Sequence, residues 1–238
     1  LAQVPSDERF RRLFIPSPGL CMVGADLSGI ELRMLAHYLA RYDKGRYAKL
    51  LLEDDIHQVN ADKIGISRKQ VKTVTYAFLY GAGDEKIGHS YDKQLSSSQA
   101  KKKGKDIRAA YVDAVDGLAE LLQAIRKASE RGFIKSIDGR KITVDSPHKA
   151  LNYCLQSGAG VIAKRWMVIN QGIMHDIGIC ASQLGFIHDE LQFECAPECI
   201  EDLSTSLVYS ATAAGEYYNM RIRIDAEATT GNNWSETH

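Results

Sequence analysis

The spacing of apolar and polar residues along the chain predicts alternating regions of strand and helix. Short apolar runs and apolar flanks around polar tips predict strands at residues 20–25 and 220–226, and hairpins at 134–144 and 185–195. Apolar residues at helical spacing, with capping and stop signals, predict helices at 30–41, 67–80, 108–130, 148–174 and 198–218, and the polar, basic segment 96–105 is expected to be exposed. Because strands lie near both ends and helices fill the middle, we predict an α+β fold interrupted by a helical insertion.

Composition narrows the class of protein without identifying it. The chain has 238 residues, of which 45% are hydrophobic, and its 30 basic residues balance 30 acidic ones. Any surface that binds nucleic acid must therefore be a local feature. The five cysteines form no CxxC pair, which favours reduced thiols in a cytoplasmic protein. No leader peptide or long apolar run is visible, so we expect no membrane partner, and the non-Met start suggests part of a longer polypeptide.

Two acidic positions stand at the ends of predicted strands. Asp26 follows an apolar run, where an unpaired carboxylate is costly; it could instead cap the helix that follows. Asp189 and Glu190 lie at a hairpin tip that has no Gly, Asn or Pro; they could also be solvated turn residues. If the two strands share a sheet, Asp26 and Asp189 would offer oxygen ligands to Mg²⁺, and a pair of such ions supports phosphoryl transfer.

The predicted helix at 67–80 carries a stripe of cations and aromatic rings. Ser67 and Gln70 have the spacing of a capping box. Residues with a possible ligand role recur every four positions, on one side of the helix: Arg68, Lys72, Tyr76 and Tyr80. The cations near the helix N-terminus could hold a triphosphate, and the rings could stack on a base or a sugar. A solvated basic face of an amphipathic helix remains an alternative.

A second polar stripe lies on the predicted helix at 148–174. Its members are His148, Asn152 and Gln156, again four residues apart. Amide side chains can bond the minor-groove acceptors that all base pairs share, and would so sense pairing without reading sequence. Polar residues that face solvent or satisfy a buried helix would give the same spacing.

Together these segments resemble the three motifs of the family A DNA polymerases, the family of bacterial DNA polymerase I. The first runs from Asp26 to Arg33, the second is Arg68-x-x-x-Lys72-x-x-x-Tyr76-x-x-x-Tyr80-Gly81, and the third is His188-Asp189-Glu190. Their order and spacing fit the family, and the resemblance extends over essentially the whole chain. The segment 79–88, LYGAGDEKIG, is most similar to the replicative polymerases of short-tailed phages.

The resemblance implies a role for each motif residue. For catalysis it implies metal binding by Asp26, Asp189 and the Leu27 carbonyl, a lesser acidic contribution from Glu190, and protonation of pyrophosphate by Lys72. For the incoming nucleotide it implies phosphate contacts from Arg68, Lys72 and His57, sugar packing by Tyr76, and exclusion of a ribose 2′-hydroxyl by Glu31. For the primer–template it implies contacts from Tyr80, His148, Asn152, Gln156 and His188.

The resemblance also implies the organisation, cofactors and partners of the chain. Residues 1–38 and 152–238 would form the palm, an antiparallel sheet with helices, and 39–151 the mostly helical fingers. We expect the thumb and exonuclease regions of a complete polymerase to lie outside this chain. The implied cofactors are two Mg²⁺ ions, with Mn²⁺ as a substitute. The implied partners are primer–template DNA, dNTPs, the missing N-terminal part and a processivity factor, in the bacterial host cytoplasm if the gene is a phage gene.

Other functions compete with DNA synthesis by this chain. A catalytically incomplete fragment, or one subunit of a split polymerase, would bind DNA or its missing half without activity alone. A two-metal nuclease would use similar carboxylates but has no need for the Arg-Lys-Tyr-Tyr helix. A single-subunit RNA polymerase would share the palm, but Glu31 as a sugar gate argues for deoxynucleotides.

Overall fold

The chain folds as α+β in a computed structural model, which describes residues 3–5 and 7–238. The helices are α1 Glu8–Arg11, α2 Ile30–Asp43, α3 Arg46–Glu53, α4 Ile56–Ile64, α5 Arg68–Leu79, α6 Asp84–Tyr91, α7 Ser97–Ala114, α8 Leu118–Ser129, α9 Ala150–Ile177 and α10 Ile200–Tyr217. The strands are β1 Cys21–Leu27, β2 Phe133–Lys135, β3 Lys141–Thr143, β4 Ala181–Ile187, β5 Glu190–Cys195 and β6 Ala226–Gly231. Short 3₁₀ turns occupy Pro147–Lys149, Pro197–Cys199 and Trp234–Glu236.

Two compact units share the chain. One contains the residues up to Ile30 together with Ala159–His238, and the other contains Glu31–Gly158. The palm and fingers boundaries at 38/39 and 151/152 stay a prediction, and Leu1, Ala2 and Ser6 of the first predicted palm segment lie outside the described residues. No helix in the described part of the chain is both long and apolar enough to cross a bilayer.

The first unit is built on an antiparallel sheet of strand order β4-β5-β1-β6. The inner strand β1 is buried along most of its length because it is largely apolar. It packs with β6 against α10, whose buried positions recur at helical spacing: Leu203, Leu207, Ala211 and Ala214. The opposite face of the sheet holds a cluster of Met22, Ile187 and Trp234. Segments from both ends of the chain thus meet in one sheet.

The second unit packs three consecutive helices around an apolar cluster. Its members come from α5, α6 and α7 and the turn after α5: Val74, Ala82, Ile87 and Ile107. Two glycines bring α6 and α7 close together, since a Cβ on Gly88 would lie 1.9 Å from the Ala100 carbonyl oxygen and one on Gly104 would lie 1.7 Å from that of Asp84. Neither position therefore accepts a larger residue unless the helices move apart.

Two predicted elements differ from the structure. The helix predicted at 108–130 is broken, since α7 ends at Ala114 and α8 begins after Gly117, whose φ of +79° is left-handed. The strand predicted at 220–226 is wrong, because the pairing with β1 begins at Ala226. Its apolar alternation reflects burial beside α10, where the Thr212 hydroxyl donates to the Ile224 carbonyl at 3.1 Å.

The other predicted elements are confirmed with small shifts at their ends. The hairpin around Asp138-Gly139 joins β2 and β3, with Gly139 at φ +84°. The capping box of Ser67 and Gln70 is present at the start of α5. His148 lies in the 3₁₀ turn that precedes α9 rather than on the α-helix itself, so the predicted stripe of His148, Asn152 and Gln156 spans a change of helix type.

Candidate functional site

Pairing of β1 with β5 brings the two acidic segments together. Asp26 lies directly opposite Glu190 in this register, and the Leu27 amide donates to the Asp189 carbonyl at 3.1 Å. On its other side Asp26 is opposite Glu227 of β6. Residues more than 160 positions apart in the sequence therefore meet at one end of the sheet, as the sequence analysis expected of the two carboxylate strands.

The three predicted carboxylates differ in their surroundings. Asp26 is exposed, Asp189 is half-buried and Glu190 is 4% exposed. Asp26 lies inside β1, and the position before α2 is Gly29 rather than Asp26, so Asp26 is not the helix N-cap. Of these three predicted carboxylates, Asp26 and Asp189 are thus the accessible ones.

The turn between β4 and β5 has an unusual backbone. It consists of His188 and Asp189, since Ile187 and Glu190 form the last pair of the hairpin. His188 has φ +57°, a left-handed value that favours Gly. Left-handed non-glycine residues cost free energy and cluster at functional sites. Backbone strain therefore lies next to the predicted metal ligand.

The chemistry of these donors fits Mg²⁺. Among the described residues, no group of three or more His, Cys, Asp or Glu side chains is placed to hold a metal ion. Mg²⁺ commonly takes only one or two carboxylates, and water and substrate phosphates complete its coordination. Asp26, Asp189 and the backbone carbonyl of Leu27 match that hard, oxygen-only set, whereas a zinc or iron site would need more nitrogen or sulfur ligands.

Glu190 is engaged in a different way from the two aspartates. Its Oε1 accepts from Gln192 Nε2 at 2.5 Å and from the indole Nε1 of Trp234 at 2.6 Å. Its Oε2 lies 2.8 Å from Nδ1 of His238. Sequence reasoning did not find Gln192, Trp234 or His238, because nothing in their spacing connects them with the acidic motif.

In the second unit, an ion pair joins the starts of α4 and α5. Nε of Arg68 lies 2.5 Å from Oδ2 of Asp55, and both side chains are about half exposed. Asp55 is also the N-cap of α4 and accepts from the backbone amides of His57 and Gln58 at 3.1 Å. The hydrogen bond from Arg68 holds the pKa of Asp55 below its ordinary value. Asp55 is a further residue that the sequence analysis missed.

His57 lies buried within this cationic region. It is 8% exposed, and its Nδ1 is a buried nitrogen without a hydrogen-bond partner in the described part of the chain. Burial lowers its pKa, the charges of Lys72 and Arg68 lower it further, and Asp55 opposes them. The ring centroid lies 6.1 Å from that of Tyr76. The residues predicted to hold phosphate and sugar are thus close together, apart from Glu31.

Glu31 contacts the far end of the same stripe. The Tyr80 hydroxyl donates to Glu31 Oε1 at 2.6 Å, while the Tyr80 side chain is 53% exposed. This hydrogen bond holds the Glu31 carboxylate against the exposed Tyr80 side chain. A charge-assisted hydrogen bond of this length restricts Glu31 more strongly than a neutral one would.

The predicted primer–template residues differ in their exposure and in what they contact. Asn152 Nδ2 donates to the Leu79 carbonyl at 3.1 Å and so ties α9 to the end of α5. Gln156 has a buried amide nitrogen without a partner among the described residues. His148 and His188 are exposed. Asn152 therefore has a structural bond in addition to any contact with DNA, and Gln156 keeps an unused donor.

Comparison with known proteins places this arrangement in a family. The sequence matches the family described as "DNA polymerase family A" over residues 1–236. It is 36% identical over 238 residues to the DNA-directed DNA polymerase of Enterobacteria phage T3, covering 90% of this chain and 33% of the relative. For the DNA-directed DNA polymerase of Escherichia phage T7 the identity is 35% over 238 residues, with the same two shares of 90% and 33%.

More distant proteins share the fold. The DNA polymerase I of Pseudomonas aeruginosa is 25% identical over 256 residues, which cover 97% of this chain and 26% of that protein. A solved structure, the POL domain of Pol1 from M. smegmatis in complex with DNA primer-template and dNTP, has a TM-score of 0.83 at 22% identity, covering all of this chain and 45% of that one. This chain spans about a third of the phage relatives' length. It belongs to DNA polymerase family A.

Proposed function

We propose that this chain carries the nucleotidyl-transfer centre for template-directed DNA synthesis. The observation that carries the proposal is the β1–β5 register, which joins Asp26 and the Asp189 hairpin at one end of the sheet. The phage relatives are named DNA-directed DNA polymerase. The proposed substrates are a primer–template DNA and the four dNTPs.

Asp26, Asp189 and the Leu27 carbonyl would hold the two Mg²⁺ ions, with Mn²⁺ as a substitute. Such a pair of ions, when bound, lowers the pKa of the attacking hydroxyl and neutralises charge on the phosphates. The role of the protein is to place its carboxylates before substrate arrives, since preorganised groups cost no reorganisation during the reaction. The β1–β5 hydrogen bonds, including Leu27 N–H to Asp189, supply that rigidity.

The start of α5 would bind the nucleotide. Arg68, Lys72 and His57 would contact its phosphates. The primer 3′-hydroxyl would lose its proton to solvent water as its oxygen bonds to the α-phosphorus. The bond from the α-phosphorus to the bridging oxygen would break, and Lys72 would protonate the departing pyrophosphate. Positive charge near a helix N-terminus favours this polyanion.

Two further contacts would select the nucleotide. Tyr76 would pack on the sugar, and Glu31, held by Tyr80, would occupy the space that a ribose 2′-hydroxyl needs. Tyr80, Asn152, Gln156, His148 and His188 would contact the primer–template. These contacts do not depend on base identity, which suits an enzyme that must copy any sequence.

Neutralising each predicted metal ligand tests the site. Asp26→Asn and Asp189→Asn keep size and shape but remove the charge, so each should lower the primer-extension rate by about a thousandfold or more. Glu201→Gln is the matched control, because Glu201 is an exposed carboxylate on α10 with no proposed role. Normal extension by Asp189→Asn would show that the ligand assignment is wrong.

The short span of the chain motivates a second candidate function. Because it covers about a third of its phage relatives, it could serve as a subunit that binds DNA or a missing polymerase half without activity alone. Primer extension at low salt by the chain alone separates the two. Extension would mean that this chain suffices. Rescue by an added upstream region with a thumb would indicate a split polymerase, to which a processivity factor could be added.

A further inference from the structure

Glu190 is a buried carboxylate with several hydrogen-bond partners. It is buried, and three donors surround it at 2.5, 2.6 and 2.8 Å. Two of them bond the same oxygen, and His238 lies on the other. A buried carboxylate is stable when its lone pairs are used in this way. Both lone pairs of Oε1 are used, so a metal ion could bind that oxygen only if Glu190 gave up one of these contacts.

Two of the three donors come from the C-terminal segment, defined here as Trp234–His238. The segment packs directly on the sheet. The Thr237 hydroxyl donates to Gln192 Oε1 at 2.8 Å, and the Trp234 amide donates to the Phe14 carbonyl at 3.0 Å. Trp234 is 3% exposed and meets the Phe14 ring edge-on at 5.3 Å between centroids. The segment is therefore a packed part of the unit.

Gly24 makes room for this packing. A Cβ at that position would lie 2.3 Å from the Thr237 carbonyl oxygen and 2.3 Å from Gln192 Nε2. Gly24 is two residues before Asp26 and directly opposite Gln192, which is in turn two residues after Glu190. The glycine and the Gln192 side chain thus connect the C-terminal segment to both acidic strands.

We propose that the C-terminal segment is a positioning element for the metal-binding hairpin, and that Glu190 is its anchor rather than a metal ligand. Glu190 directly follows Asp189, and the preceding residue His188 has a strained backbone. Such a conformation persists only where surrounding contacts determine it. Three hydrogen bonds to Glu190 fix the base of the turn, and so fix the direction of the Asp189 carboxylate. This inference rests on the proposed metal-dependent function.

Removing one donor while keeping an aromatic side chain tests the proposal. Trp234→Phe loses the indole N–H that bonds Glu190. Trp166→Phe is the matched control, since Trp166 is fully buried in the same unit and its Nε1 donates to the Leu207 carbonyl at 2.8 Å. Gly24→Ala is a second variant, which displaces the segment and changes no polar group.

Two readouts on the 238-residue chain report the effect without requiring polymerase activity. One is hydrogen exchange of the Leu27 amide, which bonds Asp189; the other is Mn²⁺ affinity by electron paramagnetic resonance. Trp234→Phe and Gly24→Ala should speed Leu27 exchange about tenfold or more and weaken Mn²⁺ binding about fivefold or more. Trp166→Phe should leave both within about twofold of wild type, because a charged acceptor is not involved.

Conservative replacement of Glu190 distinguishes an anchor from a ligand. Glu190→Gln keeps an oxygen that accepts from Trp234 and Gln192, so it should bind Mn²⁺ more tightly than Glu190→Ala by about fivefold or more. Equal losses in Glu190→Gln and Glu190→Ala, with wild-type behaviour of Trp234→Phe, would overturn the proposal and make Glu190 a ligand. If the wild-type chain binds no Mn²⁺, the proposed metal-dependent function fails, and this inference with it.

Discussion

The contact between α6 and α7 should be among the most sensitive packing sites in the second unit. In Gly104→Ala the new methyl would lie 1.7 Å from the Asp84 carbonyl oxygen, whereas ordinary contact begins near 3.4 Å. The nearest atoms belong to backbone, so no flexible side chain can turn away. The two helices must separate, and gaps of about 0.5–1 Å already lose a quarter to a half of a dispersion contact.

The cost of that separation can be worked from the structure. Overpacking of a tight core costs about 1–3 kcal/mol and occasionally more. Arg108 of α7 donates from Nε to Asp84 Oδ1 of α6 and from Nη2 to the Ala82 carbonyl just before α6, each at 2.6 Å. Separation of the helices would also stretch these two hydrogen bonds. We expect the free energy of unfolding to fall by about 3 kcal/mol in total. That loss lowers the melting temperature of a domain of this size by about 6–12 °C.

A Gly→Ala substitution at a position with open space around it should instead increase stability. Gly172 lies in the interior of α9, is exposed, and has nothing within 4 Å of its would-be Cβ. Gly172→Ala should therefore stabilise the helix by about 0.5–1 kcal/mol. Thermal unfolding followed by far-UV circular dichroism measures both variants. A melting temperature of Gly104→Ala within about 1 °C of wild type would refute the close packing of α6 on α7.

Three further predictions concern the nucleotide-binding residues. Tyr80→Phe removes the bond that holds Glu31, so the ratio of kcat/KM for dNTP over rNTP should fall about tenfold; an unchanged ratio would mean that Tyr80 does not position Glu31. Burial lowers the pKa of His57 below its ordinary value of 6.5, so the folded state binds this proton less tightly than the unfolded state. The free energy of unfolding therefore decreases as pH falls from the unfolded-state pKa through the folded-state pKa. Urea unfolding at about pH 7.5 and about pH 5.5 should show that the free energy of unfolding falls more for wild type than for His57→Gln between the two pH values. Equal decreases would contradict this prediction. Asp55→Asn keeps an N-cap but removes the ion pair of Arg68, so calorimetry should show inorganic triphosphate binding tighter by up to about fivefold; weaker binding would mean that Asp55 orients Arg68 for phosphate.

Local signals predicted much of the fold, and failed where tertiary packing decided the outcome. The capping box of Ser67 and Gln70 and the Asp138-Gly139 turn depend on neighbouring residues only, and both are present. Ile222 and Ile224 alternate with arginines like a strand, but the alternation records burial against α10, and Ile224 bonds a helix hydroxyl instead of a strand. A period of two shows that one side is buried without showing what covers it.

In the candidate site too, residues with a local sequence signal could be predicted, and residues that depend on tertiary contacts could not. Asp26 was found because it follows an apolar run where a charge is costly, and Asp189 because it lies in a charged hairpin tip without the usual turn residues. Both signals are contained within a few residues. Nothing in the sequence connects Glu190 with Trp234 and His238, which are more than 40 positions away. Residues that act by direct contact with substrate tend to have local signatures, but the residues that orient them are defined only by the fold.

Arg68 in the nucleotide-binding region and Glu190 beside the metal-binding hairpin differ in how firmly their charges are paired. Arg68 has an exposed carboxylate partner in Asp55, and an exposed pair is weak enough for a polyanion to compete with it. Glu190 is buried, and so are its partners Gln192 and Trp234. Breaking a buried network leaves an unsatisfied charge, which is far more costly. We therefore expect Arg68 to exchange partners during each catalytic cycle while Glu190 keeps its own. The mobile contacts of this chain would then lie at the nucleotide, and the fixed ones beneath the metal-binding hairpin.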